Sequence, residues 1–80
     1  MSQGLIPLHR LPVGSRGRVR QINITGAVRR RMLDLGLTFS TEVAVLQKSP
    51  SGDPTAYFIR GAVVALRSQE ASQILVAPVD

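Results

Sequence analysis

The chain has 80 residues, ten Lys and Arg against five Asp and Glu, and a net charge of +5. That length holds one domain, residues 1–80, and the absence of cysteine excludes disulfides, zinc fingers and thiolate clusters. Nine of the ten basic residues are Arg, a surface that suits anionic partners: nucleic acid, lipid headgroups or an acidic protein face, with simple solubility as the plainer reading.

In chain order, residues 1–13 form a leader. Leu5, Ile6, Leu8 and Leu11 are spaced to drop onto a core, while Pro7 and Pro12 block long regular structure. Arg16 to Ile24 alternates as a strand, but Val19 lies on the face opposite Ile22 and Ile24, so a bulge near Arg20 is expected. Thr25 is placed to cap a helix over 27–35 whose apolar stripe is Val28, Met32 and Leu35. Arg30 and Asp34 are spaced to pair on its solvent side, and Gly36 ends it in the left-handed conformation. Strands follow at 42–48, 55–59, 62–66 and 73–76. Arg60-Gly61 is a tight hairpin turn, Ser68 can cap one helical turn, and Pro78 ends the last strand. Five short strands with one helix would leave exposed edges in an open sheet, and curling into a barrel removes them. The expected class is therefore mainly β: a small SH3-like barrel of about five strands with one short inserted α-helix and one C-terminal helical turn. An OB-like barrel is second.

These residues resemble the FeoA family, ferrous iron transport protein A, and the related SH3-like domain of iron-dependent repressors. The likeness rests on an ordered set running nearly end to end. It includes Arg31-Met32-Leu33-Asp34-Leu35-Gly36-Leu37, Gly52-Asp53-Pro54, Gly61 with Ala65-Leu66-Arg67, Glu70-Ala71 and Ile74 to Val76. The chain departs from the family pattern at Thr38-Phe39-Ser40, where a Pro and a Gly are usual. Losing that Gly removes an easy positive φ, so the turn is expected to change shape. The resemblance implies a small cytoplasmic accessory module of bacterial ferrous iron uptake, at the inner face of the membrane. Its implied partner is the cytoplasmic part of FeoB, a membrane transporter that carries a GTP-binding domain.

The residues themselves point to a binding module. Arg29, Arg30 and Arg31 fan over roughly 200° of helix surface and cannot all meet one flat partner. They read as a solvated face whose stems cover core edges, or as a nucleic-acid patch, a contact with an anionic membrane surface, or an arginine finger for a GTPase. Leu33 sits beside Arg29, either buried by a second wall or exposed for docking. Arg29, Arg30, Arg31, Leu33, Leu37 and Phe39 are the candidate partner-binding residues. His9, the single histidine, reads as a surface residue. Asp34, Glu42, Asp53, Glu70 and Asp80 are dispersed, so no cofactor is expected and any Fe2+ or other divalent association finds no support in ligand spacing. Asp53 reads as a turn residue before Pro54. No nucleophile–base pair is visible, so enzyme activity is not expected. No signal peptide or membrane-spanning apolar run is seen. The alternatives are a nucleic-acid-binding barrel, disfavoured by the scarcity of aromatics, or another protein-interaction barrel. Residual strand edges offer a route to a homo-oligomer.

Overall fold

The computed structural model describes residues 4–79. Its elements run β1 (Ile6–Pro7), a 3-10 turn (Leu8–Arg10), β2 (Arg16–Ile22), α1 (Gly26–Asp34), β3 (Glu42–Lys48), β4 (Thr55–Ile59), β5 (Ala62–Leu66), α2 (Ser68–Ala71) and β6 (Ile74–Val79). All six strands join one antiparallel sheet in the order β1-β6-β2-β3-β4-β5. The five expected strands are present, and β1 is added as a two-residue edge opposite Val76 and Leu75. The sheet curls so that every strand from β2 to β6 contributes to one core, with Ile6 of β1 packed against it. It nevertheless keeps two edges, β1 and β5, which the barrel argument had removed.

The leader does part of what its spacing predicts. Leu8 and Leu11 are fully buried and Ile6 packs on the core, whereas Leu5 is exposed. The expected bulge is present: β2 and β6 change register between Val19 and Gln21. Val19 therefore points into the core while Ile24 also reaches it. A second irregularity, between Val45 and Gln47, bends β3 against β4. The last strand runs past Pro78, which pairs with Gly17 of β2. Proline is tolerated there because β1 covers only Val76 and Leu75, so β6 has an open side at that point.

The helix corrects one reading. Met32 is fully buried and Leu35 half-buried, but Val28 is exposed, so the stripe buries only its C-terminal half. Thr25 holds the cap position without a side-chain hydrogen bond. No Arg30–Asp34 ion pair forms; the ion pairs among the described residues join Arg16 and Arg18 to Glu42, and Arg31 to Glu70. The helix ends as expected at Gly36, with φ of +100°. Gly36 N–H donates to the Leu33 carbonyl and Leu37 N–H to the Met32 carbonyl, both at 3.0 Å. That is a Schellman motif, and its usual apolar contact is made by Leu37 and Met32, both fully buried.

The short helix is capped from a distance. Its cap position is Arg67 rather than Ser68. Asp53 Oδ1 accepts the Ser68 N–H at 2.8 Å, and Asp53 Oδ2 accepts the Ser68 hydroxyl at 3.3 Å. A carboxylate at a helix N-terminus satisfies free N–H groups. Glu70 Oε1 also accepts the Arg67 N–H at 3.2 Å.

Two expectations follow. Gly17 is buried in β2, and a Cβ there would lie 2.8 Å from Leu11 Cδ1 and 2.9 Å from Val76 Cγ2. The Val76 side chain is β-branched and stiff. Gly17→Ala lowers stability by about 1–3 kcal/mol, read as a shift in the urea midpoint. Tyr57 is buried among the core side chains. Burial pushes its phenol above the ordinary value of 10.0, the Thr55 hydrogen bond opposes this, and the charge of Asp53 adds to it. The folded state thus prefers the neutral phenol. Its contribution to stability is complete below about pH 10 and is lost as pH rises through the folded-state pKa. Urea midpoints across that range check it, with Tyr57→Phe losing the decline attributable to this group.

Candidate functional site

The exit of α1 is built by one buried threonine. Thr41 Oγ1 donates to the Gly36 carbonyl at 3.1 Å and accepts the Thr38 N–H at 3.2 Å, and it lies 2.9 Å from the Thr38 hydroxyl. These bonds fold residues 36–41 back on themselves. Ser40 then takes φ of +73°, so the turn keeps a left-handed residue although glycine is absent. That conformation is costly for a side chain bearing Cβ. It is held in place by Ser40 N–H donating to the Val19 carbonyl at 2.7 Å and Val19 N–H donating to the Thr41 carbonyl at 2.8 Å.

The fold-back projects Phe39 outward, at 67% exposure. The bulge in β2 sends Arg20 to meet it, with the guanidinium carbon 5.4 Å from the ring centroid, within cation–π range. Between them and α1 lies a cleft of about 140 Å³ lined by Arg20, Ile22, Arg29, Leu33, Thr38 and Phe39 among others. Leu33 is 40% exposed; no second wall covers it. Arg29 Nη1 donates to the Ile22 carbonyl at 3.0 Å and reaches the Ile24 carbonyl at 3.5 Å, which fixes its stem along the cleft. No carboxylate forms an ion pair with Arg20 or Arg29 among the described residues. The cleft therefore offers apolar surface beside unneutralised cations, a fit for an apolar anchor flanked by acid.

The six candidate residues divide. Arg29, Leu33 and Phe39 come together in this cleft. Arg30 lines a neighbouring hollow that it shares with Arg29, Leu33 and Asp34, and among the described residues it has no bonded partner. Arg31 points to the other side, where its Nη2 bonds Glu70 Oε2 at 3.0 Å. Leu37 is corrected: the Schellman motif turns it into the core, where no partner can reach it. Arg20 and Thr38 belong to the site and were not among the candidates. The clash of periodicity around Val19 was the signal for Arg20, since a bulge re-aims the extra residue.

His9 is half-buried rather than on the surface, and its Nδ1 is buried without a hydrogen-bond partner. Among the described residues no three His, Asp or Glu converge as metal ligands; Asp80 lies outside those residues. No helix among them is long and apolar enough to cross a membrane.

Comparison with known proteins gives relatives along nearly the whole chain. A sequence model of the FeoA domain matches residues 6–78. The FeoA protein of Chlorobium tepidum, solved by NMR, is 35% identical, with a TM-score of 0.89 over 94% of this chain and 71% of that one. A FeoA-like protein of Clostridium acetobutylicum is also 35% identical, with a TM-score of 0.87 over 100% of this chain and 92% of its own. Stenotrophomonas maltophilia FeoA, solved with zinc and described as a prokaryotic SH3 domain protein, is 29% identical at a TM-score of 0.75, covering 86% of each chain. A manganese-dependent transcriptional repressor shares the fold at 21% identity and a TM-score of 0.84, over 99% of this chain and 44% of that one. No curated protein matches. The mainly β, SH3-like architecture expected from the sequence is the one found.

The arginine run makes a direct test of these roles. Arg29→Gln, which gives up the bonds to the Ile22 and Ile24 carbonyls, lowers stability by about 1 kcal/mol. Arg30→Gln leaves it unchanged within about 0.5 kcal/mol. Paired urea titrations at equal ionic strength separate the two.

Proposed function

This chain belongs to the FeoA family, and from that premise we propose that it is a cytoplasmic accessory module that docks on the GTP-binding part of a FeoB-type membrane transporter. Membership ties it to ferrous iron transport. The finer reading is supported by the cleft between Phe39, Leu33, Arg20 and Arg29. An exposed aromatic and a half-covered leucine beside guanidiniums that have no ion-pair partner among the described residues are the make-up of a protein-docking spot. On this reading the ferrous ion is the transporter's cargo, and the chain assembles or regulates the transporter without carrying out a reaction. A docked domain also sits at the inner face of the membrane, where its net charge of +5 favours anionic headgroups. The nucleic-acid alternative is weaker, because Tyr57 is buried and only Phe39 and Phe58 are exposed aromatics.

Calorimetry of this domain against the cytoplasmic GTPase domain of a FeoB-type transporter, and against the full-length transporter, tests the reading. Binding is expected. Phe39→Ala weakens it by about tenfold or more, as loss of an aromatic anchor does, while Arg31→Gln, on the far side of α1, has little effect. Absence of heat and of co-sedimentation with both forms of the transporter would defeat the proposal.

A further inference from the structure

The two edges of the sheet are treated very differently. The β1 edge is two residues long and contains Pro7, two devices that keep an edge from pairing with other chains. The β5 edge has neither. Its five residues, Ala62 to Leu66, carry no charge and no proline, and its register with β4 is unbroken. Among the described residues no other strand pairs with it, and none bonds its backbone from the open side.

The hairpin turn settles which backbone groups are free. Arg60 and Gly61 have φ of +48° and +85°, the signature of a two-residue turn whose flanking residues exchange hydrogen bonds. Ile59 and Ala62 are that flanking pair. Antiparallel pairing then alternates. Ala62, Val64 and Leu66 turn their N–H and C=O toward β4, and Val63 and Ala65 turn theirs toward solvent. The side chain of Val63 is 66% exposed on the outer face, opposite Phe58 at 44%. Phe58 pairs in turn with Ala44, so an uncharged row crosses three strands and stops at the open edge.

Charge bounds this edge at both ends. Arg60 precedes β5 and Arg67 follows it; both are exposed, and neither is in an ion pair among the described residues. We propose that β5 takes up one more strand: an extended segment of a partner protein, apolar along its middle and acidic at both ends. Alternate free N–H and C=O groups match a polypeptide backbone, and the acidic ends answer the two arginines. A second copy of this chain is the poorer occupant. Antiparallel β5–β5 pairing would set Arg60 of one copy near Arg67 of the other at both ends, between chains that each carry +5. This site lies apart from the cleft on α1, and its failure would leave that reading intact.

The test uses the whole domain, labelled for NMR, and the synthetic peptide Asp-Val-Thr-Val-Thr-Val-Asp. In the free domain the amides of Val63 and Ala65 exchange with solvent faster than those of Val64 and Leu66. Adding the peptide slows exchange at Val63 and Ala65 and shifts their resonances. The same peptide with Lys at both ends binds about tenfold more weakly at low salt. Val63→Glu, a change at a solvent-facing side chain, keeps the fold by its spectrum and weakens the acidic peptide, whose charge it repels. The proposal is overturned if the peptide leaves the Val63 and Ala65 amides unaltered. It is equally overturned if those amides are already protected in the free domain and sedimentation shows a dimer, which would identify a second copy as the occupant.

Discussion

Much of this structure depends on the extra residue at Arg20. A regular β2 would place Val19 and Ile22 on opposite faces and could not bury both Val19 and Ile24. The bulge absorbs one residue, so β2 keeps its pairing with β6 on both sides of it. It also adds local bend, which a sheet must have to wrap one core in a chain this short. The same residue, unable to join the ladder, becomes the guanidinium that faces Phe39. Scaffold and candidate site therefore share one cause. Val19 links them further, since its backbone holds the 36–41 turn through both its N–H and its carbonyl.

Electrostatics sorts the arginines that sequence reading could only count. Glu42 takes Arg16 and Arg18, and Glu70 takes Arg31. Each of these exposed pairs is worth little in stability, up to about 1 kcal/mol. Their larger effect is on the surface field. They leave Arg20, Arg29 and Arg30 near α1, and Arg60 and Arg67 at the ends of β5, without an ion-pair partner among the described residues.

Strand positions, the helix and its Gly36 stop were legible because period and turn chemistry are local. The bulge was legible because Val19, Ile22 and Ile24 could not otherwise be reconciled. Long-range facts were not. Asp53 caps a helix 15 residues further on, and nothing in the spacing of a Gly-Asp-Pro turn announces that. Val28 fits the stripe of α1 but is exposed, because the curled sheet meets only the later part of the helix. Leu33 and Leu37 are four residues apart and would share a face in a continuing helix. The left-handed turn at Gly36 separates them, sending one into the cleft wall and the other into the core. The β1 strand is two residues including a proline, too short for any periodic signal.

Gly36 carries one more implication. A Cβ there would fall 2.5 Å from Cδ of Arg60, so the arginine stem occupies the space that glycine leaves empty. Two loops far apart in the chain, the exit of α1 and the tip of the β4–β5 hairpin, are thus keyed into each other like a tenon in a mortise. In this chain the bareness of the helix exit and the long side chain at the hairpin tip are therefore one steric unit, since a Cβ at position 36 would need Arg60 to move.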